Sequence, residues 1–322
     1  MRFLFSALML LSVLAGQVFA DALPSWNDTP VKEAIVQYLD AVTTSGSADF
    51  IPEPERIAIF DNDGTFWCER PNYPSTLFQA HLIKQLAASG VVDGQIMPFK
   101  AWISNDRQAL KDYGWKESYR EMNAAFGGMP VEAFRDSARA FMARSEHPEY
   151  HARFDQLYYA PMHELAALLK DKGFKLWVVT GSEQDFMRSF LEAATGVPPE
   201  RVIGSWTPAV ASEVDGEIRI VRGTVQVYNG HMAKPGNIET RIGRRPVFCV
   251  GNSDNDQPMC RYAVTGPRRG MALWVLHDDE KREYKYDRGT EDMAGLVKEI
   301  DDAWGIRISE DWNTLFLNGI SR

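Results

Sequence analysis

Two carboxylates early in the chain have the types and spacing needed for nucleophilic and acid–base chemistry. Residues 61–65 read Asp-Asn-Asp-Gly-Thr, so Asp61 and Asp63 lie two residues apart and a glycine follows them. One carboxylate could attack a phosphorus atom while the other handles a proton, and both could help to hold a hard cation. Because Asn-Asp-Gly is also a common turn sequence, the motif alone fits a surface turn equally well.

Two further segments could bind an anion such as phosphate. Thr180, Gly181 and Ser182 lie at the predicted start of a helix, where N–H groups and a hydroxyl form a ready anion site. Capping of the helix is the simpler role for Ser182, which leaves Thr180 for a ligand. Lys234 could neutralise a phosphate as a point charge, and a solvated surface lysine is the alternative for this residue.

A fourth segment, residues 251–256, reads Gly-Asn-Ser-Asp-Asn-Asp and is rich in oxygen ligands. Mg²⁺ takes few protein ligands, prefers oxygen and retains several of its waters. The loop therefore suits a magnesium site, with a plain acidic turn as the alternative.

The elements that position these segments are predicted from runs of apolar residues. Helical patterns lie between the runs, and strand–helix alternation indicates an α/β protein with a Rossmann-like, doubly wound parallel sheet. Ligands bind outside the carboxyl ends of the strands in such sheets, and every run but the last is followed by polar residues. Four short, continuous runs are typical of strands buried on both faces: Ile57–Phe60, Leu176–Val179, Val247–Val250 and Leu273–Leu276.

The spacing of apolar residues also predicts three helices that accompany the sheet. They span residues 26–43, Pro161–Lys172 and Ser182–Thr195. The last of them begins with a capping box, since Asp185 follows Ser182 by three residues.

Two segments interrupt this alternation. Residues 67–158 contain no buried-strand run, and a helical insert is predicted there. Val202–Gly230 alternates polar and apolar residues around Asp215 and Gly216, which predicts a β-hairpin. The insert contains three clear helical stretches: Leu77–Ser89, Glu117–Ala125 and Val131–Arg144.

In this order, and each at a predicted strand end or helix start, the four segments resemble the haloacid dehalogenase-like hydrolases over residues 50–66 and 160–290. The resemblance implies that Asp61 is a nucleophile that forms an aspartyl-phosphate. It implies that Asp63 protonates the leaving oxygen and then deprotonates the hydrolytic water. Phosphoryl oxygens would be held by Thr180, Gly181 and Lys234.

The resemblance also implies a Mg²⁺ cofactor, held by Asp61, the backbone carbonyl of Asp63 and the acidic loop. Members of the family usually carry Asp where this chain has Asn252. An amide oxygen can coordinate Mg²⁺ but is neutral, so either the metal binds more weakly or Asp254 or Asp256 takes over.

The second acid, Asp63, favours phosphate transfer, because dehalogenases of this family lack it. The helical insert and the short hairpin before Lys234 look most like the phosphoserine phosphatase branch, in which the insert is a cap that closes over the site. The predicted organisation is a core of residues 21–66 and 159–322 with an inserted α-helical cap, residues 67–158.

The residues that recognise the substrate would lie on the cap and just after residues 61–65, which form the first motif. Glu69 could bind an amine and Arg70 an anion, with a surface ion pair between them as the alternative. Tyr113, Trp115 and Tyr119 could form an aromatic wall for a quaternary ammonium group, although helix-spaced aromatic residues are more often part of a core.

Composition limits the classes of partner and of cysteine chemistry. A formal charge of −9 argues against nucleic acid as a partner. The three cysteines show no disulfide or zinc pattern, and Cys249 is predicted to be a small buried residue. Residues 277–282, His-Asp-Asp-Glu-Lys-Arg, resemble a metal motif only superficially, and a solvated loop is predicted there.

The first twenty residues are typical of a cleavable signal peptide. Arg2 precedes an apolar run from Phe3 to Ala15, and residues 18–20 read Val-Phe-Ala. This predicts a periplasmic or secreted protein without a membrane span in its mature form, because the run is too short to cross a bilayer.

These observations predict an exported, Mg²⁺-dependent phosphatase of small phosphomonoesters. One alternative is a catalytically silent binding protein for a phosphorylated ligand, which the neutral Asn252 keeps open. Another is a phosphotransferase with an alcohol acceptor. Nothing in the sequence indicates an oligomeric state.

Overall fold

The computed structural model describes residues 23–287 and 289–321, so the predicted signal peptide lies outside the described residues. Six strands form one sheet, in the order β3-β2-β1-β6-β7-β8, and β4 pairs with β5 alone. The strands of the described part are β1 (Ile57–Phe60), β2 (Lys175–Glu183), β3 (Val202–Ser205), β4 (Ala209–Val214), β5 (Glu217–Arg222), β6 (Phe248–Gly251), β7 (Met271–Leu276) and β8 (Ala303–Arg307).

The pairings of the sheet confirm the predicted doubly wound α/β class. Strand β1 pairs in parallel with β2 on one side and β6 on the other, and β6, β7 and β8 continue in parallel. The chain order therefore reverses between β1 and β6, which is the switch point where ligands bind in folds of this type. The segments that follow these two strands are residues 61–65 and 252–256.

Helices fill much of the segment between β1 and β2 and also separate later strands along the chain. None of the helices in the described residues is both long and apolar enough to cross a membrane. They are α1 (Pro30–Thr43), α2 (Pro74–Ala88), α3 (Phe99–Ser104), α4 (Arg107–Tyr113), α5 (Trp115–Ala125), α6 (Val131–Met142), α7 (Ala160–Asp171), α8 (Gln184–Arg188), α9 (Leu191–Thr195), α10 (Ala233–Ile242), α11 (Gln257–Val264), α12 (Glu291–Glu299) and α13 (Ile308–Asp311).

The chain divides into two compact units. Among the described residues, the first contains residues 23–68, Glu146–Val179 and those from Gly230 onward. The second consists of Glu69–Ser145 and Thr180–Asn229, so it contains both the helices α2–α6 and the hairpin.

An aromatic core holds the first unit together. Phe60 of β1 stacks on Phe66 at 4.7 Å between ring centroids. The C-terminal segment packs in the same unit, because Phe316 stacks on Tyr159 at 5.6 Å and Trp312 is buried beside that ring. The apolar C-terminal residues therefore belong to this core.

The hairpin follows the sequence prediction, while one predicted helix start is wrong. Asp215 and Gly216 both have positive φ and connect β4 to β5, as an Asp-Gly hairpin turn requires. Ser182, by contrast, does not cap a helix, because β2 continues through Glu183. The helix α8 begins at Gln184, and the Glu183 carboxylate accepts the N–H of Phe186 at 2.6 Å instead.

Candidate active site

The motif of residues 61–65 forms a tight turn directly after β1, but the turn is buried. The carbonyl oxygen of Asn62 accepts the N–H groups of Thr65 and Phe66 at 3.1 and 2.8 Å. The N–H of Asp61 donates to Val250 of β6, so the sheet itself fixes where the turn starts. Asp61 and Asp63 are each only 6% exposed, which rules out the surface turn that the sequence left open.

Lys234 lies in the first turn of α10 and is fully buried. Its ammonium is 3.0 Å from Oδ1 of Asp61 and 2.5 Å from Oδ1 of Asp256, and it also donates to the carbonyl of Val179 at 2.9 Å. The alternative of a solvated lysine is therefore wrong. A buried ammonium between two carboxylates instead links the motif after β1 to the loop after β6.

Asp256 also organises the loop after β6. Its Oδ2 accepts the N–H groups of Asn252 and Ser253, both at 3.1 Å. A side chain at Gly251 would lie 2.4 Å from the Cβ of Asp256, so only glycine allows this close approach.

The carboxylate of Asp254, unlike that of Asp256, contacts the start of a helix. Its Oδ1 accepts the N–H of Met293, in the first turn of α12, at 3.0 Å. Of the three loop residues considered as metal ligands, the structure therefore brings Asn252 and Asp256 to the two carboxylates of the first motif, and it uses Asp254 to cap a helix.

Asn252 lies against the backbone of the second acid. Its side-chain amide nitrogen can donate to the carbonyl oxygen of Asp63 at 3.1 Å and to Oδ2 of Asp256 at 3.3 Å. The opposite amide orientation turns the Asn252 oxygen toward these two oxygens. That orientation gathers carboxylate, carbonyl and amide oxygens in one place, which is the donor set that Mg²⁺ prefers.

The charges at this site also fit a divalent cation. Burial, together with the nearby charge of Asp256, raises the pKa of Asp61 well above its usual range, although Lys234 opposes this. Burial alone would lower the pKa of Lys234, but Asp256 and Asp61 more than offset it. The charge of Asp63 also acts on Asp61, so the carboxylates outnumber the one ammonium, and a divalent cation would balance the excess negative charge.

A metal site here needs more than acidic, imidazole and thiol side chains. Within the described residues, no three His, Cys, Asp or Glu side chains form a group that could hold a metal ion. A cation here would therefore depend on the Asn252 amide and the Asp63 carbonyl as well as on carboxylates.

Trp67 holds the second acid and was missed by the sequence analysis. Its indole N–H donates to Oδ1 of Asp63 at 2.8 Å. The ring is fully buried and packs on Tyr158 at 5.4 Å between centroids. Only the spacing of a tryptophan four residues after an acid could have suggested this contact.

Thr180 and Gly181 lie within the last part of β2, in the second unit, and not at a helix start. Thr180 is fully buried, and its carbonyl accepts the amide of Asn229 at 2.9 Å. The Gly181 carbonyl accepts the Ser205 hydroxyl at 2.7 Å. The anion site at a helix start was thus wrong in its local structure, and the phosphate-binding role of the two residues stays a prediction.

The predicted recognition residues lie in the second unit. Arg70 Nε is 3.6 Å from the carboxylate of Glu69, so the two residues pair, but Glu69 is buried and the pair is not the surface ion pair named as the alternative. Their role in recognition stays a prediction.

Two of the three residues proposed for an aromatic wall, Trp115 and Tyr119, pack against each other, and the role in binding stays a prediction. Tyr119 packs on Trp102 at 4.9 Å and on Trp115 at 6.2 Å between ring centroids. Tyr113 instead donates its hydroxyl to Glu121. Trp102 is buried, so the cluster extends from the interior of the second unit.

The segment that was predicted to be a solvated loop after β7 contains buried groups. His277 is 3% exposed, and Glu283 just beyond the segment is fully buried. That prediction was therefore wrong for His277, which contacts the first motif.

Comparisons with known proteins identify the family. The profile of the haloacid dehalogenase-like hydrolases matches residues 58–261. The chain belongs to this family of hydrolases, and its parallel sheet is the Rossmann-like α/β type. No curated protein sequence matches the chain.

Several solved structures are similar. A conserved functionally unknown protein from Anaerococcus prevotii DSM 20548 is 12% identical, with a TM-score of 0.52 over 84% of this chain and 89% of that one. A protein with unknown function from Bordetella pertussis Tohama I is 12% identical, with a TM-score of 0.48 over 76% and 96%. A phosphoserine phosphohydrolase-like protein from Francisella tularensis subsp. tularensis SCHU S4 is 17% identical, with a TM-score of 0.39 over 75% and 99%. At such identity, the first likeness shows the fold alone.

Proposed function

We propose that the protein is an exported, Mg²⁺-dependent phosphatase that hydrolyses small phosphomonoesters through an aspartyl-phosphate intermediate. The observation that carries this proposal is the buried contact of Lys234 with Asp61 and Asp256, beside a second acid held by Trp67. Membership of a hydrolase family supports the reaction class.

The roles proposed for Asp61 and Asp63 start from the hydrogen bond that one oxygen of Asp61 already accepts. Lys234 binds Oδ1 of Asp61, which orients Oδ2 for attack on phosphorus. As the bond from Asp61 to phosphorus forms and the bond to the leaving oxygen breaks, Asp63 donates a proton to that oxygen. Asp63 then takes a proton from the water that attacks the aspartyl-phosphate, which releases phosphate and restores Asp61.

Neutralisation of charge is the main requirement of such a reaction. The buried ammonium of Lys234 offsets the charge of the nucleophile and of the incoming phosphate. Asp61, the Asp63 carbonyl and Asn252 would hold Mg²⁺, with Asp256 fixing the loop. When bound, the cation would reduce the repulsion between a carboxylate and a phosphate dianion. Thr180 and Gly181 would bind phosphoryl oxygens.

Export and domain organisation complete the proposal. Residues 1–20 carry the signal-peptide pattern, and cleavage would leave a mature chain that begins at Asp21 in the periplasm or outside the cell. Sequencing the N-terminus of the protein recovered from that compartment tests this directly. The helical segment 67–158 would serve as a cap that admits substrates, with Glu69 and Arg70 among its recognition residues.

The test of function is phosphate release from a panel of phosphomonoesters by the mature protein, with Mg²⁺ and with a chelator. We expect turnover that the chelator removes and that Asp61→Asn reduces at least ~10³-fold, because that variant lacks the nucleophile. Asp254→Asn is the matched control, since Asp254 lies in the same loop but caps α12. It should retain turnover.

Two other outcomes would change the assignment. Folded wild-type protein that turns over no ester with Mg²⁺ would support the silent binding protein, and Asn252→Asp would then be the variant to examine. Transfer of the phosphoryl group to an added alcohol, in preference to water, would identify a phosphotransferase.

A further inference from the structure

A buried histidine, His277, is distant in sequence from the turn that carries the two acids but contacts the backbone of that turn. His277 directly follows β7, and its Nε2 lies 2.8 Å from the carbonyl oxygen of Gly64. Its Nδ1 lies 2.8 Å from Oε2 of Glu283. The other carboxylate oxygen of Glu283 accepts the hydroxyl of Tyr159 at 2.6 Å. All these groups lie in the first unit and are buried.

The partners of His277 define how many protons the ring carries. A backbone carbonyl can only accept a hydrogen bond, and an ionised carboxylate can only accept one as well. Beside an ionised Glu283, the ring donates from both nitrogens and is therefore an imidazolium paired with a buried carboxylate. Burial raises the pKa of Glu283, but His277 and Tyr159 outweigh this and hold that pKa below its usual range.

The position of the contact gives it a role in the turn. Gly64 follows Asp63 and has a φ of +71°, and its N–H donates to the carbonyl of Trp67 at 2.9 Å. The N–H side of Gly64 is thus fixed within the turn, whereas its carbonyl is fixed by His277. Trp67 in turn binds the Asp63 carboxylate. Rotation of the peptide that follows Gly64 would consequently disturb the residue that orients the second acid.

We propose that His277 is a positioning residue for Asp63, acting through the Gly64 carbonyl, with Glu283 and Tyr159 keeping the ring charged and oriented. This inference rests on the proposed function, since it assigns Asp63 as the acid and base. The ring stacks on Tyr286 at 4.3 Å between centroids, so its plane is fixed as well as its hydrogen bonds.

Two substitutions of nearly equal polarity separate positioning from packing. The amide nitrogen of Gln reaches as far as Nε2 of histidine, so His277→Gln can still donate to Gly64. The amide of Asn ends near Nδ1, so His277→Asn can face Glu283 but not Gly64. We expect His277→Asn to lower kcat ~10–100-fold with KM within about threefold, and His277→Gln to stay within about fivefold of wild type.

Equal losses of kcat in both variants, in step with their loss of Tm, would mean that His277 only packs and would overturn the proposal. Glu283→Gln removes the charge beside the ring but keeps its shape. Its kcat should fall between those of the two His277 variants. Unchanged kcat in Glu283→Gln would contradict the part assigned to Glu283.

A spectroscopic measurement keeps the inference separate from the proposed function. The chain has six histidines, so ¹⁵N-labelling of histidine gives few ring signals, and His277→Gln assigns the relevant pair. Two protonated ring nitrogens at neutral pH support the arrangement even if no phosphomonoester is hydrolysed. A ring with one protonated nitrogen would overturn it even if turnover is high.

Discussion

Each of the two compact units buries a cation between two carboxylates, but the two clusters differ in their balance of charge. In the second unit, Arg222 donates to Glu183 at 2.8 Å and to Asp185 at 3.0 Å. In the first unit, Lys234 contacts Asp61 and Asp256. Both cations are at most 1% exposed. Burial and ion pairing alone therefore do not distinguish an active site from a structural cluster.

The surroundings of the two cations do distinguish them. Asp185 also binds Arg135 at 2.8 Å, and the Arg222 guanidinium lies over the Phe134 ring at 3.8 Å and donates to Thr207. Two acids thus meet two guanidinium groups, and the geometry leaves little for a ligand to complete. The Lys234 cluster has a third acid, Asp63, and lies at the switch point of the sheet. Surplus negative charge at such a place indicates a site for a cation and substrate.

The largest effect expected from this comparison is on turnover. Lys234→Met keeps much of the volume of the side chain but removes the charge that offsets Asp61 and the incoming phosphate. We expect kcat/KM for phosphate release to fall ~10³-fold, which corresponds to about 4 kcal/mol of transition-state stabilisation. A decrease of less than tenfold, measured on folded protein with saturating Mg²⁺, would show that this cluster resembles the one around Arg222.

The next effect is on stability. Arg222→Met leaves Glu183 and Asp185 buried with one guanidinium fewer, and breaking such a pair costs about 3–5 kcal/mol. Urea unfolding followed by far-UV circular dichroism measures this loss, while kcat of the folded fraction should stay within about threefold. Arg219→Met on the same strand is the control, since Arg219 is exposed and should change little. A stable Arg222→Met with impaired turnover would reverse the roles of the two clusters.

The sequence predicted the centre of the sheet better than its edges. Ile57–Phe60 has its predicted bounds, because all four residues are apolar and buried. The two edge strands, β3 and β8, were missed. Neither strand shows a continuous apolar run: β3 is buried but has only two apolar residues before Gly204 and Ser205, and β8 contains Gly305 and Arg307. Pairing within the sheet also overrode the apparent capping box at Ser182.

For the candidate site too, the sequence predicted the central residues better than the residues around them. Five residues of the candidate site were predicted from local sequence motifs, and the structure places all five together in the first unit: Asp61, Asp63, Lys234, Asn252 and Asp256. The residues that orient them were not found. Gly64 and His277 are 213 positions apart, and no local pattern connects a histidine to a carbonyl at that distance. Supporting contacts depend on the tertiary structure, whereas reactive residues keep recognisable local sequences.

The smallest expected effect, again on turnover, tests whether the site needs Asp63 to be oriented as well as the charge of Lys234. Trp67→Phe removes the indole N–H from Asp63 but keeps an aromatic ring against Tyr158. We expect kcat to fall ~10-fold with KM nearly unchanged, because Asp63 then adopts unproductive rotamers. Trp26→Phe is the matched control, since it also loses a buried indole hydrogen bond, to the carbonyl of Pro161, and makes no contact with the two acids. If both variants lose similar stability and only Trp67→Phe loses turnover, the indole orients the acid. Equal turnover in the two variants would reduce Trp67 to core packing and leave the charge of the Lys234 cluster as the main determinant of activity.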